Sequence, residues 1–266
     1  MFFLVLEFPM IDPIAIAMGP LSIRWYALAY IAGIIVGWKY VIYLSKSYPI
    51  LFDHKLFDSL LLYVTCGIIL GGRIGYVLFY NLNYYFSNPE EMFMVWRGGM
   101  SFHGGFLGVV VAIALFARKA NLSIFIIGDL VASAAPIGLF FGRIANFING
   151  ELFGRAAPDL PWAIIFPNGG EIPRHPSQIY EALLEGIVLF IFIRRVSIKT
   201  QRPGIAVTSF VIGYGIVRTI CEFFRAPDAQ IGFVISHLSM GQILSLPMIL
   251  IGGIIMFLLS RKDPLH

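Results

Sequence analysis

The stretch IFIIGDLVASAAPIGLFFGRIANFINGELFGR, residues 124–155, changes character at Arg143. Residues 124–142 are almost wholly apolar, close to the roughly 20 residues that carry a helix across hydrocarbon. Beyond them Arg143, Asn146, Asn149, Glu151 and Arg155 are spaced among Phe and Ile. A charged side chain near hydrocarbon costs on the order of 3 kcal/mol or more. An apolar run that ends in such a cluster reads as a membrane span delivering polar groups to one interface.

The rest of the chain fits that reading. It is 58% hydrophobic, 15% aromatic and only 13% charged, with a mean hydropathy of +0.83, outside the range of soluble domains. Apolar windows at 22–44, 56–80, 101–117, 124–142, 179–195, 204–224 and 240–260 predict seven spans, so the fold class is an all-α integral membrane protein. Residues 1–21 are apolar but carry Glu7, Pro9, Asp12 and Pro13 without a basic leader. They read as an interfacial segment, not a cleaved signal peptide. The 266 residues are expected to form a single transmembrane domain, with 143–178 as an extracytoplasmic connection.

The net charge of +4 is a topology signal. Lys46, Lys55, Arg118, Lys119, Arg194, Arg195, Lys199, Arg202, Arg261 and Lys262 fall in the connections after spans one, three and five or at the C-terminus. The opposite connections hold Arg97, Arg155, Arg174 and Arg225. This bias places the N-terminus outside and the C-terminus in the cytoplasm, and no nucleic-acid partner is expected. Cys66 and Cys221 lie within predicted spans and read as small apolar residues. No cluster has metal-ligand spacing, so neither metal nor cofactor is expected.

With this topology, polar side chains from five segments reach the outer leaflet. Arg143, Asn146, Asn149 and Glu151 close span four. Arg218, Glu222 and Arg225 share one face at the end of span six. Span three starts with His103, span one with Arg24, Trp25 and Tyr26, and span five with Gln178, Tyr180 and Glu181. Each has a structural reading as well. Arg218 and Glu222 suit an i,i+4 pair, Arg143 a snorkelling anchor, Tyr26 an aromatic belt, and His103 a bond to a backbone carbonyl. Arg73, in the outer half of span two, reads as completing an ion pair. Glycines 98, 99, 104, 105 and 108 suit an anion near a helix start. Gly71–Gly75, Gly33–Gly37 and Gly104–Gly108 also suit close helix packing. Convergence at one depth favours a site.

Arginines with a histidine and acids at an outer leaflet suit a phosphate-bearing lipid headgroup. Both cysteines sit in apolar spans, so a nucleophile would come from a second substrate. The rival is a transporter or channel with an outer-leaflet anion site, which would place polar groups at mid-membrane or carry inverted repeats. Apart from Arg73, the polar set lies to one side.

The motifs FGRIANFINGELFGR (141–155), SFHGGFLG (101–108), RHPSQIYEALLEG (174–186), GYGIVRTICEFFRAPD (213–228) and MGQILS (240–245) together resemble the prolipoprotein diacylglyceryl transferase family of the bacterial inner membrane. Ala145 departs from the family's usual GRIGNF, small for small. The resemblance implies seven spans and an active site facing the periplasmic side. It also implies transfer of the sn-1,2-diacylglyceryl group from phosphatidylglycerol to the lipobox cysteine of prolipoprotein signal peptides. The product is a thioether, and glycerol phosphate is released. It marks Tyr26, His103, Arg143, Asn146, Glu151, Gly154, Arg218 and Glu222 as functional, with Arg225 added as a substrate-binding candidate. In this reading Arg143 binds phosphate and Arg218, held by Glu222, neutralises the leaving group. Glu151 and Asn146 orient Arg143 and the glycerol hydroxyls, and Gly154 permits a tight turn. Two routes remain for the thiol proton: His103 as base, or water, once the arginine field has lowered the thiol pKa.

Overall fold

The computed structural model describes residues 6–18, 21–47, 54–95, 98–200, 202–227, 232–235 and 238–261. Helices dominate: α1 (Trp25–Ser45), α2 (His54–Tyr80), the short α3 (Leu82–Ser87), α4 (Phe102–Ala120), α5 (Ile124–Ile148), α6 (Ser177–Glu181), α7 (Leu189–Lys199), α8 (Ile205–Glu222) and α9 (Met240–Ser260). Ala182–Val188 join α6 to α7 as a π-helical stretch, so the chain is helical throughout 177–199. Among the described residues five helices, α1, α2, α5, α8 and α9, are long and apolar enough to cross a membrane. They coincide with five of the apolar windows. The remaining two windows fall on α4, whose last turn carries Arg118 and Lys119, and on 177–199, which contains Glu181, Glu185, Arg194, Arg195 and Lys199.

Short strands occur outside these helices. The N-terminal segment contributes β1 (Leu6–Glu7), β2 (Ile14–Met18) and β3 (Leu21–Arg24). β1 pairs in parallel with β4 (Ile164–Ile165) and β2 pairs with β3 as a hairpin, while β5 (Phe233–Ile235) pairs with β6 (Leu238–Ser239). β3 leads directly into α1.

The chain divides into two compact units, residues 42–128 and residues 1–41 with 129–266. In the first, α2 and α4 touch backbone to backbone. A Cβ built at Gly104 would strike the Gly71 carbonyl, and one at Gly108 would strike the Gly67 carbonyl and the Gly71 Cα. Glycines four residues apart on each helix thus form the flat surfaces that let two helices meet. Gly104 and Gly108 are packing residues. Arg73 is 5% exposed. It donates to the carbonyls of Glu91, Met92, Gly98 and Gly99, with its guanidinium 5.2 Å from the Tyr85 ring centre. The sequence suggested an ion pair; instead Arg73 ties the connection after α2 to the helix through four backbone oxygens.

In the second unit α5 runs antiparallel to 177–199. Ser133 meets Ser197 at 2.9 Å, Phe140 faces Gly186, and Arg143 reaches Glu185, so contacts step forward along one helix and backward along the other. α1 is likewise antiparallel to α5, with Gly37 against Ala134 and Gly33 against Gly138. Asp129, 1% exposed, accepts the N–H groups of Gly204 and Val207, each at 2.7 Å. A carboxylate from α5 therefore caps the start of α8, where unpaired N–H groups favour an anion. Leu189, Ile193, Ala206, Phe210 and Tyr214 pack with Ala132 as the apolar core behind the site.

Gly108→Leu is expected to lower the thermal stability of the detergent-solubilised protein by several kcal/mol or to prevent its accumulation. Gly253→Ala, where an added Cβ meets nothing within 4 Å, is expected to leave the melting temperature within about 2 °C of wild type.

Candidate active site

Three helical segments build the site: the end of α5, the start of 177–199, and the end of α8. Gly186 sets the spacing of the first two, because a Cβ there would lie 2.7 Å from the Phe140 Cβ. One turn beyond Phe140 is Arg143, and just before Gly186 is Glu185. The π-helical stretch 182–188 contains Glu185 and follows Glu181, and such insertions recur where helices carry functional groups.

Arg143 Nε lies 2.8 Å from Glu181 Oε2, and its Nη2 lies 3.0 Å from Glu185 Oε2. Arg218 Nη1 lies 3.2 Å from Glu181 Oε2 and 3.3 Å from Glu185 Oε1, while its Nη2 pairs with Glu222 Oε1 at 2.5 Å. Arg225 Nη1 is 3.5 Å from Glu181 Oε2. Three arginines face three glutamates, a formally neutral cluster. Glu181 and Glu185 are 1% and 0% exposed, and the side chains of Arg143 and Arg218 14% each. Guanidinium remains charged under any working condition. Charges this deep are tolerated because each is paired several times over.

Glu222 is held from both sides. Its Oε2 accepts the Ser239 hydroxyl at 2.6 Å. Ser239 is also the N-cap of α9, in a capping box with Gln242. A Cβ at Gly241 would lie 2.6 Å from the Glu222 carboxylate, so that glycine makes room for the acid at the start of α9.

The connection after α5 is a folded cap. Gly150 and Leu152 have φ of 63° and 57° and make the turn. Gly154 lies beyond it, in a bridge with Arg225. A Cβ there would lie 2.6 Å from the Phe224 carbonyl oxygen and 2.6 Å from that of His175. The glycine expected to permit a tight turn is needed instead where three strands of backbone meet. Arg155 donates to the carbonyls of Arg225 and Glu222 at 3.0 Å each, and Arg174 to that of Gly169 at 2.9 Å. These two arginines are structural ties. Burial holds His175 below its ordinary pKa, and its Nδ1 is 3.3 Å from the Tyr180 hydroxyl.

Of the residues singled out in the sequence, Arg143, Arg218, Glu222 and Arg225 meet in one network. Asn146 and Glu151 meet each other, Nδ2 to Oε1 at 2.8 Å, and the carboxylates on Arg143 come from Glu181 and Glu185. Tyr26 stacks at a tilt on Tyr30, ring centres 5.0 Å apart. Continuing the α1–α5 register from Gly33 and Gly138 puts both tyrosines level with Arg143 and Asn146. His103 falls in the first turn of α4, and its side chain lies outside the described residues. Glu185 was missed, although the quoted motif contains it. Its signal is a second acid, four residues after Glu181, within the apolar window 179–195. Ala145 is fully buried, a position that demands a small residue.

The sequence pattern of prolipoprotein diacylglyceryl transferase matches residues 13–258, which include the whole ion-pair cluster. The chain belongs to this family. The phosphatidylglycerol–prolipoprotein diacylglyceryl transferase of Rhodospirillum rubrum is 56% identical over 261 residues, covering 97% of this chain and 95% of the relative. Those of Azospirillum brasilense and Nitrobacter hamburgensis are 55% and 53% identical. They cover 94% and 98% of the chain, and 94% and 93% of their own lengths.

In this family member Glu185 is the only carboxylate whose two oxygens divide between Arg143 and Arg218 among the described residues. Glu185→Ala leaves both guanidinium groups short of a partner and is expected to destabilise the protein by roughly 3–5 kcal/mol, read from thermal or denaturant unfolding in detergent. Glu171→Ala, on the connection after α5 and exposed, is expected to change unfolding by less than about 0.5 kcal/mol.

Proposed function

We propose that this chain transfers the sn-1,2-diacylglyceryl group from phosphatidylglycerol to the thiol of a lipobox cysteine in prolipoproteins. Family membership supports the reaction class, and the convergence of Arg143 and Arg218 on shared carboxylates carries the site. In the proposed arrangement the whole chain acts as one transferase domain in the bacterial inner membrane. It crosses seven times, α4 and 177–199 adding the third and fifth spans to the five strongly apolar helices. The N-terminus and the 143–178 connection face the periplasm, and the C-terminus faces the cytoplasm.

The carboxylates engage Nε and Nη2 of Arg143 and both terminal nitrogens of Arg218. Arg143 Nη1 and Arg218 Nε meet no carboxylate among the described residues, and they donate to phosphate oxygens in the proposed complex. The cysteine sulfur attacks the glyceryl methylene that bears the phosphate ester. A C–S bond forms, the C–O bond breaks, and its electron pair leaves on the phosphate oxygen as glycerol phosphate. The phosphate passes from one negative charge toward two. Fixed guanidinium groups in a water-poor site favour that change most strongly at the transition state. The thiol proton goes to His103, whose ordinary pKa lies near neutrality. In this proposal Tyr26, Asn146, Glu151 and Arg225 belong to the headgroup site, and Gly154 belongs to it through the backbone it packs.

Arg143→Ala is expected to reduce transfer to a lipobox peptide by at least about 100-fold, the scale of losing one charge-stabilising donor, while the protein still reaches the membrane. Arg143→Lys keeps the charge but not the planar fork, and is expected to lose at least about tenfold. Full activity in Arg143→Ala would reduce this residue to an anchor.

The pH profile tests His103. If it takes the thiol proton, the deficit of His103→Gln shrinks as assay pH rises from about 6 toward the thiol's own pKa of about 8.5. A deficit constant across that range would assign the proton to water acting under the arginine field.

A further inference from the structure

We propose that Gln178, Glu181 and Asn149 form an acceptor site for the free hydroxyl groups of a polyol headgroup, and so select the donor lipid. The inference rests on the reading of Arg143 and Arg218 as the phosphate site. Its own basis is a set of buried oxygens. Gln178 Oε1, Glu181 Oε1 and Asn149 Oδ1 receive no hydrogen bond among the described residues, and Gln178 and Glu181 are each 1% exposed. Buried acceptors without a donor are costly and rare. All three in this region are acceptors, so a ligand that satisfies them brings O–H or N–H groups.

The fold holds these oxygens in place through the opposite ends of the same side chains. Gln178 Nε2 donates to the Glu151 carbonyl at 2.7 Å, and Asn149 Nδ2 reaches Glu151 Oε1 at 3.5 Å. Glu181 Oε2 receives Arg143 at 2.8 Å. Gln178 and Glu181, three residues apart, share one helix face. Glu181 thus touches the phosphate-binding arginine with one oxygen and offers the other beside it. A phosphodiester held by Arg143 places the carbons of its alcohol next to that second oxygen.

Arg143, Arg218 and Arg225 all approach Glu181 Oε2 within 3.5 Å, and three glutamates balance them, so the number of free hydroxyl groups rather than net charge distinguishes the donors. Glycerol supplies two hydroxyls close to the ester oxygen, which suits acceptors on adjacent turns.

The test compares three donor lipids in mixed micelles with a lipobox peptide as acceptor: phosphatidylglycerol, phosphatidylpropanol and phosphatidylethanolamine. Phosphatidylpropanol keeps the phosphodiester and its charge but has no free hydroxyl. For the wild type, kcat/KM with phosphatidylpropanol is expected to be at least about tenfold below that with phosphatidylglycerol. Gln178→Met removes one acceptor and is expected to bring the two lipids within about threefold of each other. Gln178→Glu keeps acceptor oxygens and is expected to retain the preference even where total activity falls. Equal use of both lipids by the wild type overturns the proposal and requires no variant to fold. A preference unchanged in Gln178→Met also overturns it, and leaves the oxygens bound to water only. Absence of transfer from all three lipids would overturn the donor reading, and this site with it.

Discussion

Three guanidinium groups inside an apolar chain need carboxylates within ion-pair distance, and the second unit is arranged around that requirement. A lone arginine near hydrocarbon would turn toward the headgroups. Arg143 and Arg218 stay in because Glu181 and Glu185 arrive on the neighbouring segment, and Glu222 joins Arg218 from one turn along α8. Close approach is then a condition, which explains two glycines that have no conformational need to be glycine. Gly186 lets α5 come near enough for Arg143 to reach Glu185, and Gly241 leaves room for the Glu222 carboxylate at the start of α9. The acids also bind helices to one another. Glu185 spans α5 and α8, and Glu222 joins α8 to α9 through Ser239.

The features legible in the sequence were local ones. Apolar windows located the helices, because length and composition alone determine whether a segment suits hydrocarbon. The Arg218–Glu222 pair was readable from i,i+4 spacing. Pairing across helices was not, since it depends on which faces meet. Glu181 reads as a polar residue near a span end and Glu185 draws no notice within the window, and only the antiparallel register of α5 and 177–199 reveals both as the partners of Arg143. Arg73 illustrates the same limit. A buried arginine suggested a carboxylate, yet four backbone carbonyls of the connection after α2 accept its N–H groups.

Glycine is the residue whose role the sequence leaves most open. Gly154 suggests a tight turn, but the residues of positive φ in that connection are Gly150 and Leu152. Gly154 is needed because carbonyls of two other segments occupy the space of a side chain. Gly104 and Gly108 suit either an anion at a helix start or close helix packing, and it is contact with α2 that they serve. Composition shows that backbone comes close to something; only the fold shows whether that something is a ligand or another helix.

The neutrality of the cluster bears on the proposed chemistry. An anion site built from unpaired arginines would attract phosphate more strongly, but those arginines would be mobile and already solvated by headgroups. Pairing each with buried carboxylates lowers the attraction for the ground state while fixing the direction of the remaining N–H groups. Such preorganised donors act most on charge that develops during bond breaking, and require no rearrangement at that moment. Glutamates beside a phosphate site are then no contradiction. They exchange ground-state affinity, which does not speed the chemical step, for orientation, which does. Arg143 and Arg218 would each present one free edge to an ester whose negative charge grows as the thioether forms.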